Sequence, residues 1–232
     1  MELNEIQKIK MALLVMNHAD VENAQKAYDF VMAGSDSKEP ANQEEATPSK
    51  MADGVYIIGS NGEAIPFIGN ATKLGDIKPA YIGIVEGIRS LKVALKDAAD
   101  GKDIELAAKK DTTSYSGYIN NYTDAVQDWD GKKNTEHLKE IGLNSKIDLK
   151  DGEYIPALAE MYLICRNRKQ VNEALRFIGA EILDDLWYWT STEYSSTNAW
   201  ILYLNDGLAN GYTKATFQTR VRAVSAFLPL NS

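Results

Sequence analysis

The residues with chemical potential in this 232-residue chain are few and scattered. Two acid pairs, Asp184-Asp185 and Asp128 with Asp130, have the type and closeness needed for general acid–base work. Adjacent acids at element ends more commonly serve as caps or solvated faces. Nucleophilic catalysis needs a nucleophile, a base in contact with it and a group that orients the base. The histidines, His18 and His137, and the single cysteine, Cys165, fall in separate predicted elements, without the spacing of zinc ligands. A lone Cys165 on an apolar helical face reads as a small core residue, and both histidines read as solvated or structural. Gly207 and Gly211 flank a turn and lack the strand–loop–helix context of a phosphate-binding loop. Leu204-Asn-Asp206 offers oxygens to a calcium ion, but such a site needs several converging ligands, and the overlapping Asn205-Asp-Gly207 reads as a turn that reverses a chain unaided. The expectation is a chain with no catalytic residues, no metal site and no cofactor.

What remains is a surface for recognition. Tyr194, Ser195, Ser196, Asn198, Asn205, Asn210, Tyr212 and Lys214 combine rigid aromatic rings with adaptable hydrogen-bonding groups, a mixture that binding surfaces favour. They follow a run, Trp187 to Trp200, with three tryptophans and two tyrosines in fourteen residues. Trp187, Trp189 and Trp200 are expected in the core, because large aromatic side chains are mostly buried. Ser191, Thr192 and Glu193 are assigned to internal hydrogen bonds, with Arg220 or Arg222 meeting Glu160 or Glu193.

These residues also carry a resemblance. The run Tyr188 to Trp200, the Asn205-Asp-Gly207 turn and the closing Val221 to Phe227 resemble a large family of unknown function in gut anaerobes and their phages, itself similar to the C-type-lectin fold. Asp130 to Thr135 supports the likeness, as does Tyr154 to Met161, which stands where that family has a Trp-x-x-Pro-x-x-x-Glu-like segment. The resemblance spans Asp53 to Phe227 and is strongest after Tyr154. It implies a lectin-like fold whose late segment carries the ligand-binding face. It implies function less firmly, since the fold serves ligand-binding modules, phage receptor-binding proteins and one class of oxidising enzyme. Those enzymes rely on cysteines that this chain lacks, and the Glu-Pro-Asn loop of calcium-dependent sugar sites is missing.

Composition narrows the classes further. Hydrophobic residues make up 44% and charged residues 25% of the chain, ordinary values for a globular protein. The net charge is −8 and no lysine–arginine run exceeds a pair, so nucleic acid is not an expected partner. One cysteine allows no intrachain disulfide, which fits folding in a reducing compartment. The first residues are acidic and polar and do not read as a secretory signal, and no apolar stretch approaches the ~18 residues of a membrane span.

Hydrophobic periodicity supplies the elements that must position this surface. Residues 3–33 read as two helices, with Ile6, Ile9, Leu13 and Met16 on one stripe and Val21, Ala24, Tyr28 and Val31 on another. Two such helices bury little by themselves. They either anchor or oligomerise the chain as a dimer or trimer, or dock on another protein, or fold back on their own domain. Residues 35–50 contain no aromatic or branched aliphatic residue and read as a linker. Two hairpins follow, Val55–Ile58 with Ala64–Ile68 around Asn61-Gly62, and Ala80–Val85 with Ser90–Leu95 around Glu86-Gly87. Pro66 places its strand at an edge. Asp97 to Ser116 reads as a loop. Helices are expected over Tyr118–Trp129, over Asn134–Ile141 capped by Asn134 or Thr135, from Pro156 through Cys165, and over Val171–Ile178 ending at Gly179. Strands are expected at Ala199–Leu204 and Thr219–Phe227, with a polar stretch between them through Lys214.

The sequence reading is therefore an α+β chain: a helical anchor (1–34), a linker (35–50) and a C-type-lectin-like head (51–232). The function it suggests is a non-catalytic phage virion protein, of head-fibre or tail-associated type, or a surface-display protein, whose head binds a cell-surface glycan or protein. The alternatives are a purely structural capsid decoration, a bacterial surface adhesin, and an enzyme with an unrecognised site. The corresponding location is the virion, or the bacterial surface.

Overall fold

A computed structural model describes residues 51–108 and 115–227. These lie in one compact unit that begins at Pro48. The stripes through Ile6, Ile9, Leu13, Met16, Val21, Tyr28 and Val31, and the linker, lie outside the described residues.

The described chain is α+β; its strands pair with one another antiparallel, and one parallel bridge joins Tyr188 to Arg220. The first sheet has six strands in the order β2-β1-β3-β4-β9-β5. They are β1 (Gly54–Gly59), β2 (Ala64–Pro66), β3 (Pro79–Glu86), β4 (Arg89–Ala94), β5 (Glu153–Tyr154) and β9 (Val224–Ala226). Both expected hairpins form, and the strand holding Pro66 is at the edge, where its missing N–H costs the ladder nothing. The second sheet is a three-stranded meander of β6 (Trp187–Glu193), β7 (Asn198–Tyr203) and β8 (Ala209–Thr213).

The helix α3 (Leu158–Phe177) runs between the two sheets, against β1 and β3 on one side and β6 and β7 on the other. Leu158, Met161, Ile164, Val171 and Leu175 close the main core against Ile57, Ile82 and Ile84 of the first sheet and Tyr188 and Leu202 of the second. A second core covers the opposite face of the meander, where Trp189, Ile201 and Val221 meet Leu106, Ile155 and Leu138 of α2 (Gly131–Ile141). The small third core, of Tyr56, Ile58, Val85 and Phe227, backs the first sheet. Alternation of Val55 and Ile57 with Tyr56 and Ile58 is the period of a strand buried on both faces. Gly83 lets that third core close, since a β-carbon there would lie 2.9 Å from Ile58 Cδ1 and 3.0 Å from Phe227 Cε1.

Several element boundaries differ from the sequence reading, each for a tertiary reason. Only Tyr122–Ala125 (α1) is helical within 118–129. The backbone at Ile119 is recruited by the second sheet, its N–H donating to Glu193 O at 2.9 Å and its carbonyl accepting from Trp200 Nε1 at 2.7 Å. Helix α2 begins at Gly131, and Thr135 lies inside it: its hydroxyl donates to Gly131 O and accepts from Ile155 N. The two expected helical faces around Cys165 and Val171 form one continuous helix, with Ala157 at its N-cap and Pro156 outside. Asp97 to Ala108 holds buried Asp97, Ile104 and Leu106 and bridges Thr219 and Leu143, so it is core-forming chain and not a surface loop. The polar stretch after Asn205 is largely strand β8, and the closing strand is confined to Val224–Ala226.

Candidate functional site

The second sheet is irregular where the candidate site begins. In β6 the register with β7 shifts between Trp189, opposite Ile201, and Glu193, opposite Ala199. The extra residues of this bulge direct their hydroxyls inward. Thr190 Oγ1 donates to Trp200 O at 2.8 Å, Ser191 Oγ to Gly131 O at 3.3 Å, and Thr192 Oγ1 to Asp128 Oδ2 at 2.6 Å. Thr192 Oγ1 also accepts the N–H of Leu158, satisfying a donor at the start of α3. The assignment of Ser191 and Thr192 to internal hydrogen bonds therefore holds.

Beyond the bulge a cleft of about 590 Å3 opens, lined by Asn120, Tyr122, Tyr194, Asn198, Trp200 and the segment Gly207–Gly211. Trp200 is its buried base. Its indole N–H is tied to Ile119 O, and its ring packs against Tyr194 (centroids 5.2 Å apart, planes at 64°) and Tyr122 (6.4 Å, 60°). Tyr122 is 53% exposed, and its hydroxyl lies 2.9 Å from that of Tyr162, which donates in turn to Gly207 O at 2.7 Å. One wall is thereby held to the turn that forms the other. Gly211 is needed by the opposite strand, because a β-carbon there would meet Tyr194 Cγ at 3.1 Å. Asn198 Oδ1 accepts from Thr197 Oγ1 and Asn210 Oδ1 from Gly211 N, which leaves both amide NH2 groups without a protein acceptor among the described residues.

The structure divides the sequence-predicted residues into two groups. Tyr194, Asn198 and Asn210 meet at this cleft. Ser195 instead organises the β6–β7 turn, accepting from the N–H groups of Thr197 and Asn198. Ser196 sits in the same bend, and Asn205 lies exposed in the β7–β8 turn, neither of them lining the cleft. Tyr212 packs into the second core, 4.3 Å from the Phe217 ring and 6.4 Å from that of Trp187. Lys214 is a correction: it is fully buried, with Nζ on Glu193 Oε1, and presents nothing to a ligand. A lysine side chain is driven into a core only by such a partner, and the acid that supplies it lies 21 residues earlier. Of the tryptophans, Trp189 and Trp200 are core residues and Trp187 is half-buried. Asn120, Tyr122 and Leu208 join the cleft without having been singled out, because nothing local to residues 120–122 marks them as neighbours of a strand 80 residues later.

The ionisable clusters are internal. Glu193 is shared between Lys214 and His137, whose Nε2 is 3.3 Å from Glu193 Oε2 and whose ring stacks at 3.6 Å on Tyr115. His137 thus has a partner that its own helix did not reveal. Arg222 is also fully buried, and its Nε donates to Asp97 Oδ1 at 2.5 Å while its remaining donors reach the carbonyls of Ala94, Glu181 and Ile182. Arg220 Nε lies 2.9 Å from Asp103 Oδ1. The expected pairing of these arginines with Glu160 or Glu193 does not occur. Burial pushes the Asp97 carboxyl above the usual carboxylate range, against the opposing pull of Arg222. Glu160 accepts from Ala157 N at 2.8 Å and Tyr154 Oη at 2.9 Å, closing the N-terminus of α3, and burial pushes it up to about 7.

The acid pairs serve structure as well. Asp185 pairs with Arg168, while Asp128 accepts from Asn134, Thr192 and the Asp130 N–H. Cys165 is half-buried, its thiol directed to Leu204 O and pushed up by burial, away from the thiolate that a nucleophile requires. No group of three or more His, Cys, Asp or Glu residues suited to a metal ion occurs among the described residues. No helix among them is long and apolar enough to cross a membrane. The cleft offers apolar contact through aromatic faces and hydrogen bonds through amides and the Tyr122 hydroxyl.

Compared with protein-family models, with curated proteins and with solved structures, the chain matches none.

Proposed function

We propose that residues 51–227 are the recognition head of a non-catalytic virion or surface-display protein, and that the cleft between Tyr122, Tyr194 and Asn210 takes part of a cell-surface glycan or protein. The observation that carries this reading is the convergence of three aromatic side chains and three amides, from the turn after β6, from β7 and β8, and from Asn120 and Tyr122 at the start of α1, on one solvent-open cleft. Its volume lies within the ~300–1,000 Å3 typical of ligand sites. The ion clusters contribute no residue to the cleft lining, in which the NH2 groups of Asn198 and Asn210 keep hydrogen-bonding capacity. The lectin-like reading of the head is supported by its two antiparallel sheets and by the last strand returning beside β4 of the first sheet.

The test is adhesion of the fluorescently labelled full chain to intact cells from a panel of gut bacteria, compared with Tyr122→Ala/Tyr194→Ala/Asn198→Ala. The reading expects binding to a subset of the panel and its loss in the triple variant with native circular dichroism retained. Equal binding by wild type and variant would remove the cleft from recognition.

A further inference from the structure

We infer that the cleft is built for a neutral saccharide and holds it without a metal ion; this rests on the recognition reading above. None of the ten lining residues is charged, although charged residues make up 25% of the chain. The exclusion is maintained at the margins. Asp206, next to the lining Gly207, turns its carboxylate onto the N–H of Leu208, and the carboxylate of Asp124, two residues past Tyr122, accepts from the side-chain amide of Asn121. Glu193, next to Tyr194, is buried beneath Lys214.

A ligand with a fixed charge would find no counter-charge here, and an anionic one would also meet the field of a chain with net charge −8. The groups that are present match a ring bearing hydroxyls. The half-buried Tyr194 and exposed Tyr122 offer apolar ring surface to C–H faces. The uncommitted NH2 groups of Asn198 and Asn210 donate to hydroxyl oxygens. Calcium-mediated sugar binding needs several oxygen ligands, usually with carboxylates among them, and the lining residues include no carboxylate. Direct contact is the mode that this lining supports.

The experiment is a printed array of neutral and acidic glycans, probed with the labelled full chain in buffer containing EDTA and in buffer containing calcium. Wild type is compared with Tyr122→Ala/Asn198→Ala, and with Asn210→Ala as a milder variant. Expected are signals on neutral glycans of equal strength in both buffers, at least tenfold above those on acidic counterparts, and reduced at least tenfold by the double variant. An empty array, a preference for acidic glycans, signals abolished by EDTA, or signals kept by both variants would overturn the inference. Cell adhesion separates the two levels. Adhesion lost on cleft substitution but unchanged after periodate oxidation of the cells contradicts the saccharide and leaves recognition standing. Adhesion indifferent to cleft substitution contradicts both.

Discussion

Gly211 of β8 passes directly beneath the ring of Tyr194, so close that a β-carbon at 211 would sit 3.1 Å from two atoms of that ring. The placement of the most central aromatic side chain of the cleft thus depends on a missing methyl group across the sheet. Gly211→Ala is expected to push Tyr194 off Trp200 and to weaken ligand binding at least fivefold. Because Tyr194 is only half-buried and has room to move, the stability cost should stay near ~1 kcal/mol. Urea denaturation alongside cell binding checks both halves of this prediction.

The pair Lys214–Glu193 is a buried structural device at the residue preceding the cleft-lining Tyr194. Lys214→Met leaves Glu193 buried, with only His137 beside it, and should cost about 3–5 kcal/mol. Adding Glu193→Gln removes the stranded charge and should recover part of that loss. A double variant less stable than Lys214→Met, measured by equilibrium denaturation, would show that the charge itself is not what destabilises.

Much of the framework was legible in the sequence, for local reasons. Asn61-Gly62 and Glu86-Gly87 sit between apolar runs, and both glycines adopt the positive φ (+86° and +61°) that such turns require. The apolar face of α3 and the alternation in β4 follow from the same short-range periods. The illegible part is pairing across long separations. Lys214 carries no local mark that it will be neutralised by Glu193, nor His137 that it will meet the same acid, nor Ile119 that its backbone will be claimed by two strands and withdrawn from a helix. The cleft was half-legible for the same reason: Tyr194, Asn198 and Asn210 belong to the meander, whereas Tyr122 arrives from another part of the chain.

Stability should depend on pH through Glu160. Its folded-state value, about 7, lies above the ordinary 4.5, so the folded protein holds a proton that the unfolded chain releases earlier. The stabilising contribution is complete below about 4.5 and is lost as pH rises through about 7. At about 1.4 kcal/mol per pH unit of displacement, the loss is on the order of 3 kcal/mol. Glu160→Gln keeps an acceptor for the Ala157 N–H and cannot ionise. Its stability relative to wild type should therefore rise between pH 4.5 and 7.5, as followed by urea midpoints at each pH. A flat difference would contradict the assignment.

Arg222 clamps the approach to the last strand through one carboxylate and three carbonyls. A lysine can keep the charge but not the planar fork that serves these acceptors together. Arg222→Lys should lose about 2–4 kcal/mol, on the scale of a buried ion pair that loses its geometry. Thermal unfolding, read against the wild type, gives the comparison.

The most direct test of the cleft as the recognition surface is hydroxyl-radical footprinting of the full chain, free and bound to adherent cells. Tyr122 and Leu208, 53% and 57% exposed, line the cleft, while Ile68 and Ile88, 67% and 88% exposed, lie elsewhere. The account predicts that oxidation of Tyr122, Tyr194 and Leu208 falls severalfold on binding while Ile68 and Ile88 react as before. Protection of Ile68 or Ile88, with Tyr122 and Leu208 still oxidised, would contradict it.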